Sequence, residues 1–273
     1  MYVENSRNFA AGHRWHEAAS PRAAVKPIQI ALDRERWVIW TVALFPLFAV
    51  MLIVALKHFK PGMYMILNRE DGIVEWATAI VYLIAAGFAV SLVFHFWRQK
   101  EKMLALLYGG LGIGMAFIAM EEISWGQRVL GIATPEFIEA INVQDELTLH
   151  NLGAFPLHEA YLLVGFYGAF SRPIAMAVLG DRHKRLVDLV TPPRALFLYF
   201  FIPFLLYAYY EFIWYTDLLP RNLEWPEYWA EKPRFASGDD QESIELLLSL
   251  GFLVFTVVNW ARYRVGAPLT LGR

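Results

Sequence analysis

Acidic residues and histidines stand together at the ends of apolar segments of this sequence. The densest string is Glu121-Glu122-Ile123-Ser124-Trp125-Gly126-Gln127-Arg128, and His150 follows it after a polar stretch. Two neighbouring carboxylates beside an imidazole can hold a divalent metal, or can keep one carboxylic acid protonated as a general acid. We therefore nominate Glu121, Glu122 and His150 as candidate catalytic residues.

A metal site is one form that this chemistry can take. Carboxylate and imidazole ligands suit Zn, Fe or Mn, and the candidate ligands are Glu122, His150 and His158. Their spacing matches no established ligand motif. The Glu-Glu-x-x-x-Arg motif of certain membrane proteases is excluded because five residues separate Glu122 from Arg128. The sequence leaves the metal, and any other cofactor, undetermined.

The same residues also have a purely structural interpretation. If the string is helical, Glu121, Ser124, Trp125 and Arg128 share one face, because residues three and four apart are neighbours on a helix. Arg128 would then neutralise Glu121 in an ion pair that fixes the loop and does nothing more. Ion-pairing or loop-fixing roles are also predicted for three residues elsewhere, Glu75, Glu211 and Asn151.

The helix dipole separates the acids that need an explanation from those that do not. It favours acidic groups at helix N-termini, and this covers four of them: Glu75, Glu159, Asp240 and Glu242. Glu121, Glu122 and Glu211 stand at C-terminal ends, where the dipole opposes a negative charge. Each of these three therefore needs a partner, a proton or a cation.

The elements that must position these residues are transmembrane helices. Of the 273 residues, 57% are hydrophobic and 18% are charged, whereas soluble domains are about 45–50% apolar and about a quarter charged. A bilayer core needs about 20 apolar residues in a helix, and lipid offers any other backbone no hydrogen-bond partner. Six stretches meet or approach that length: Trp37–Leu56, Ile73–Phe96, Met103–Met120, Leu157–Leu179, Ala195–Tyr215 and Ile244–Trp260. The predicted fold is an all-α polytopic transmembrane bundle of about six spans.

Lys and Arg predict the orientation of this bundle. They concentrate in the segments that face the cytoplasm if the N-terminus is inside, so both termini are predicted to be cytoplasmic. No apolar core of a signal peptide precedes Trp37, and we expect the first span to be retained as an anchor. The predicted parts are a polar cytoplasmic tail (1–36), one transmembrane domain (37–264) with structured outer loops (121–155 and 217–242), and a cytoplasmic C-terminal tail (265–273).

Two sequence features bear on how the spans pack. Arg172-Pro173 interrupts the fourth stretch, which is either a full helix whose Arg snorkels to the surface or a short span followed by an interfacial helix. Gly110 and Gly114 form a small-xxx-small pair in the third stretch, a pattern typical of close helix packing.

Composition excludes several classes of function. The absence of cysteine excludes disulfides, thiolate metal sites and cysteine nucleophiles. No nucleotide-binding or zinc-protease motif occurs, and a net charge of −2 gives no basic field for nucleic acid. The expected partners are the lipid bilayer and other membrane subunits, which would be contacted through the N-terminal tail and the lipid-facing helices.

Three strings resemble a family of bacterial multi-pass membrane proteins without a characterised activity. They are Arg69-Glu70-Asp71-Gly72 through Glu75, the Glu121–Arg128 string, and Thr134-Pro135-Glu136-Phe137 through His150-Asn151. The resemblance implies a protein of the bacterial inner membrane and an outer loop that acts as one unit. It implies no activity and assigns no residue a role.

Three functions fit these observations. The first is an accessory or scaffold subunit of a larger membrane complex. The second is a membrane-embedded hydrolase or transferase that acts on a lipid or lipid-linked substrate through an outward-facing carboxylate and histidine site. The third is a proton-coupled transporter, for which Glu75 and Glu211 are the motivating residues.

Overall fold

The computed structural model describes residues 21–69, 72–139, 142, 147–149, 156–209 and 240–265. Its helices are α1 (Pro21–Phe59), α2 (Pro61–Asn68), α3 (Ile73–Arg98), α4 (Lys102–Glu122), α5 (Gln127–Leu130), α6 (Glu136–Glu139), α7 (Leu157–Leu179), α8 (Lys184–Val190), α9 (Phe197–Tyr209) and α10 (Gln241–Trp260). Short 3-10 turns (Ser124–Gly126, Asp181–His183, Arg194–Leu196) and a π-helical turn (Ala261–Val265) join or extend them. The all-α fold predicted from composition is confirmed.

Several of these helices are long and apolar enough to cross a membrane. Within the described residues there are five: Arg36–Phe59 in α1, α3, α4, α7 and Gln241–Tyr263. A sixth crossing forms if the bent pair Asp181–Val190 and Arg194–Tyr209 is one span. The chain is therefore a membrane-embedded helical protein, and its helices overlap the six predicted stretches.

Helix α1 starts within the segment predicted as a polar tail. It begins at Pro21 and continues through the first apolar stretch to Phe59. The chain divides into two units, Met1–Val38 and Ile39–Arg273. Only the second unit, which contains α2 to α10, carries the side-chain contacts considered below.

Small residues bring α3 and α4 close together in the core of the second unit. Ala85, Ala86 and Ala89 of α3 are buried, and a Cβ atom added at Gly112 of α4 would lie 3.5 Å from the Cβ of Ala89. Small side chains let two helix backbones approach closely in a membrane. Larger buried side chains, among them Phe96 of α3 and Tyr108 of α4, fill the rest of this contact.

The glycines predicted to make such a contact do not make it. A Cβ atom added at Gly110 or Gly114 would meet nothing within 4 Å. Positions two residues apart face nearly opposite sides of a helix, and the buried side of α4 is the one that carries Gly112. The prediction that Gly110 and Gly114 make the close contact was thus wrong, because they lie on the side of α4 opposite Gly112.

Helix α7 is continuous through Arg172-Pro173, which settles the open question about the fourth span. Arg172 does not snorkel, because it is buried and donates a hydrogen bond of 2.5 Å to Asp188 of α8. Lys184 contacts the same carboxylate oxygen at 3.3 Å. An internal ion pair therefore neutralises the arginine that the sequence left without a partner.

The break before α9 coincides with Pro192-Pro193, which cannot continue the α8 hydrogen-bond ladder. The helices on its two sides are bent by 41°. Carbonyl groups freed at the end of α8 accept hydrogen bonds from hydroxyl groups: Tyr108 donates to Leu189 at 2.7 Å, and Tyr167 donates to Val190 at 2.6 Å. Side chains of α4 and α7 thus provide hydrogen-bond donors for two of the carbonyl groups at this break.

Close packing of α7 on α9 makes a first testable prediction. A Cβ atom at Gly168 would overlap the ring of Phe200, whereas one at Gly110 would meet nothing within 4 Å. Gly168→Ala is expected to lower the free energy of unfolding by about 1–3 kcal/mol, as overpacking of a filled core does. Gly110→Ala, the control, should leave it unchanged or raise it by up to about 1 kcal/mol, because alanine favours the helix. Denaturant unfolding of both variants in one detergent measures the difference, and equal stabilities would contradict the packing.

Candidate functional site

Three carboxylates from two helices meet at one end of the bundle. Glu122 is the last residue of α4, and Glu242 and Glu245 lie in the first two turns of α10. One oxygen from each lies within 4.8 Å of the other two. Glu122 and Glu245 are buried, and Glu242 is half-buried. We call these three residues the acid cluster.

Helix geometry explains why the acid cluster forms. Residues three apart share a helix face, so Glu242 and Glu245 point to the same side of α10. The C-terminal end of α4 lies beside the N-terminal start of α10, and the two helices contribute their terminal acids at one depth. The dipole of α10 favours the two glutamates at its start, whereas the dipole of α4 opposes Glu122.

Neutral donors surround Glu245. The Tyr207 hydroxyl of α9 and the amide nitrogen of Gln241 each donate a hydrogen bond of 3.0 Å to its Oε1 atom. A carboxylate oxygen of Glu122 lies within 4.8 Å of one of Glu245 as well. Within the described part of the chain, no basic side chain contacts Glu122 or Glu245.

A buried phenol also faces this site. Tyr82 of α3 is only 1% exposed, and its hydroxyl lies within electrostatic range of Glu122 and Glu245. The Tyr82 hydroxyl therefore adds a neutral phenol to the surroundings of the two carboxylates.

The charge of the acid cluster needs compensation. Two unit charges about 4 Å apart repel by roughly 4 kcal/mol near a protein surface, and ionisable groups in membrane segments are costly. Repulsion between neighbouring carboxylates favours the binding of a cation, or of a proton on one of them. The arrangement is therefore suited to take up a cation, or to hold a proton that it can exchange.

Glu121 has a different role from its neighbour Glu122. It accepts hydrogen bonds from the indole nitrogen of Trp125 at 2.5 Å and from the backbone nitrogen of Leu149 at 2.6 Å. Gln127 acts similarly, because its carbonyl oxygen accepts from the backbone nitrogen of Leu147 at 2.6 Å. Glu121, which was predicted to be catalytic, and Gln127 thus fasten the loop that follows α4.

The backbone separates these two roles. Helix α4 ends at Glu122, and Ser124 and Trp125 adopt left-handed φ angles of 48° and 55°. The single helical face predicted for Glu121, Ser124, Trp125 and Arg128 therefore does not form, although Trp125 still reaches Glu121. The side chain of Arg128 lies outside the described part of the structure, so its predicted ion pair stays a prediction.

Other predicted residues lie near the acid cluster or outside the described residues. Glu75, in the first turn of α3, is close enough to act electrostatically on Glu122. His158 packs against Tyr207 with ring centroids 5.5 Å apart, and is thus one side chain away from Glu245. His150, Asn151 and Glu211 fall outside the described residues.

The sequence interpretation omitted residues that the structure brings to the site. The helix dipole was taken to account for Glu242, and no role at this site was predicted for Glu245, Gln241 or Tyr207. The i, i+3 spacing of Glu242 and Glu245 was a usable signal. Nothing in the sequence marked Tyr207, which is one of several tyrosines at the end of α9.

A buried ion pair anchors the start of α10 beside this site. Lys57 of α1 lies 2.7 Å from Asp240, and the Tyr64 hydroxyl of α2 donates a 2.6 Å hydrogen bond to the same carboxylate. Asp240 was predicted to cap α10, but its side chain makes no capping hydrogen bond. It ties α1 and α2 to the helix that carries Glu242 and Glu245.

Comparisons with protein-family models, curated proteins and solved structures gave no match to this chain. The resemblance to a bacterial membrane-protein family therefore stays a prediction. Function has to be argued from the acid cluster and its surroundings.

Proposed function

We propose that this chain is a membrane-embedded, cation-dependent hydrolase or transferase that acts on a lipid or lipid-linked substrate. The observation that carries the proposal is the acid cluster, in which Glu122, Glu242 and Glu245 bring three oxygens within 4.8 Å of one another. Of the three functions predicted from sequence, the scaffold subunit, the enzyme and the proton-coupled transporter, this geometry favours the enzyme.

The acid cluster suits a hard divalent cation. Mg²⁺ and Mn²⁺ prefer oxygen ligands, and Mg²⁺ commonly combines one or two carboxylates with water and a substrate phosphate. Glu122, Glu242 and Glu245 would hold such an ion. It would polarise a phosphoryl or carbonyl oxygen of the substrate and lower the pKa of a bound water.

Residues around the acid cluster have supporting roles in this proposal. Tyr207 and Gln241 both donate to Oε1 of Glu245, and such outer contacts orient metal ligands. His158 lies against Tyr207 and is our candidate general base, since an imidazole nitrogen can accept a proton from a bound water. Tyr82 would donate to a ligand of the ion or to the substrate.

The position of the acid cluster indicates the substrate class. It lies at the ends of α4 and α10, both of which are candidate membrane spans. A substrate anchored in the bilayer has its polar headgroup at this depth, whereas its chains remain in the hydrocarbon. A lipid or lipid-linked ester is therefore the substrate class that this position supports.

The scaffold subunit is the second candidate. The observation in its favour is the loop after α4, where Glu121 and Gln127 bind the backbone of Leu149 and Leu147. A loop fixed in this way presents a constant surface to a partner. On this alternative the acid cluster would only stabilise the fold.

Location and orientation follow the distribution of charge. We propose an inner-membrane protein of bacterial type with both termini in the cytoplasm, supported by the concentration of Lys and Arg in alternate loops. The acid cluster would then face the outer leaflet. Any protein partners would be other membrane subunits.

The test uses the full chain reconstituted in liposomes of native membrane lipid with Mn²⁺ or Mg²⁺. Product release should stop with a chelator and should fall at least about 100-fold in Glu122→Gln, as on loss of a metal or charge-stabilising group. Glu159→Gln is the matched control, because Glu159 is an exposed acid in the first turn of α7. Wild-type turnover in Glu122→Gln, or no turnover in any lipid fraction, would reject the enzyme.

A further inference from the structure

The opposite end of the bundle carries a surplus of positive charge. Arg98, Lys100 and Lys102 stand in and beside the α3–α4 turn, and Arg182 lies just before α8; all four are exposed. Helix α4 runs from Lys102 to Glu122, which puts these residues about 30 Å from the acid cluster. Among the described residues, none of the four has an acidic partner. We call these four residues the basic face.

Contacts between three segments hold the basic face together. Arg185 of α8 binds both oxygens of Glu101 in the α3–α4 turn, at 2.7 and 2.8 Å. The guanidinium groups of Arg185 and Arg262 both lie about 6 Å from the ring of Tyr263, at 6.0 and 5.9 Å. The turn, α8 and the end of α10 therefore form one surface.

The acidic residues of this surface do not balance most of its positive charge. Glu101 is occupied by Arg185, and Asp188 by Arg172 and Lys184. Among the described residues, one further acid lies on this surface: Asp181, which is exposed beside Arg182. The four residues of the basic face therefore leave a net positive charge open to a ligand.

Lys100 is held in a conformation that suits glycine. Its φ angle is 62°, and it follows α3 at the position where helices commonly end on a left-handed glycine. The turn is closed by hydrogen bonds from Lys100 to the carbonyl of Trp97 and from Glu101 to that of Phe96. A lysine at this position is strained where glycine would not be, so replacement by glycine would remove the charge without a backbone penalty.

Large apolar side chains flank the basic face. Trp97 is 63% exposed and Met103 is 69% exposed. Tryptophan at the end of a span is typical of the headgroup zone of a bilayer. The surface thus combines unpaired cations with apolar groups at the depth of the lipid phosphates.

From this combination we propose that the basic face binds the headgroup of an anionic phospholipid. The phosphate would lie among Lys100, Lys102 and Arg182, and the acyl chains would pack beside Trp97. Charge complementarity and position at the span ends support a lipid. The proposal is independent of the enzyme, since it uses none of the residues of the acid cluster.

The test measures lipid retention by the full chain in detergent. Phosphatidylglycerol and phosphatidylcholine are titrated separately, and bound lipid is counted by native mass spectrometry. Wild type should retain phosphatidylglycerol preferentially. Each lysine or arginine removed should weaken that binding about fivefold, so Lys100→Gly, Lys102→Gln and Arg182→Gln combined should lose about 100-fold. Lys60→Gln, an exposed lysine near the other end of the bundle, is the control.

Lys100→Gly separates binding from folding. Glycine relieves the left-handed strain, so this variant should melt at the wild-type temperature or above it while its affinity for phosphatidylglycerol falls about fivefold. A structural role for Lys100 predicts unchanged affinity. The proposal fails if wild type retains both lipids equally, if the triple variant retains phosphatidylglycerol like wild type, or if Lys60→Gln weakens binding as much as the triple variant.

Discussion

Asp188→Ala is expected to lower the free energy of unfolding by about 3–5 kcal/mol, because it leaves Arg172 charged and buried without its partner. The side chains of this pair are 8% and 14% exposed, and the Arg172 nitrogen lies 2.5 Å from the carboxylate. Removal of one member of a buried pair costs far more than the net value of the pair, since the remaining charge cannot be hydrated. Unfolding of both proteins in one detergent measures the loss.

The chain offers a matched control for this prediction. Arg185 and Glu101 form an ion pair of similar length, 2.7 Å, but their side chains are 60% and 30% exposed. Glu101→Ala should cost no more than about 1 kcal/mol, as exposed pairs do. The double variant Arg172→Met with Asp188→Leu should recover most of the loss, because it leaves no buried charge. Equal effects of Asp188→Ala and Glu101→Ala would show that Arg172 reaches water.

The ion pair between Arg172 and Asp188 also shows what the sequence alone could not predict. Hydrophobic length located the apolar helices, although α1 starts sixteen residues before the predicted Trp37, because lipid leaves an apolar segment few alternatives to a helix. The same reasoning left Arg172-Pro173 ambiguous. The partner of Arg172 stands sixteen positions away on a different helix, and its proximity depends on the turn at Gly180, which has a φ angle of 67°. Contacts of this kind follow from tertiary geometry and have no local signature.

The acid cluster was predictable only in part. The sequence indicated that acids gather at one end of the spans, and Glu75, Glu122, Glu242 and Glu245 do lie close together. It could not distinguish Glu121 from Glu122, because adjacent helical residues differ by about 100° in direction and no pattern fixed the rotation of α4. The left-handed residues Ser124 and Trp125 then direct the loop onto Glu121. Neither feature is encoded in residue spacing.

Relative to wild type, the Glu122→Gln variant is expected to be more stable without a divalent cation and less stable with one. Without the cation, the substitution removes one of three clustered negative charges and supplies an amide that can donate to Glu245. The variant should therefore unfold at a higher temperature than wild type under chelation, since repulsion among like charges opposes the folded state.

With the cation, the order should reverse. A ligand that binds only the folded protein at 100 times its dissociation constant stabilises it by about 2.7 kcal/mol, and wild type should gain that amount from Mn²⁺. Glu122→Gln should gain little, because it has lost one of the three carboxylate ligands. Glu159→Gln, whose carboxylate is exposed on α7, should behave like wild type in both conditions.

The two halves of this prediction separate the candidate functions. A scaffold whose acid cluster shares a proton would show the stabilisation of Glu122→Gln under chelation, yet no response of wild type to Mn²⁺. An enzyme with a cation site would show both effects. Glu242→Gln should then change the stability in the same way as Glu122→Gln, since Glu242 supplies another of the three carboxylates and is the least buried of the three residues. Equal Mn²⁺ stabilisation of wild type and Glu122→Gln would place the ion elsewhere and remove the acid cluster from the mechanism.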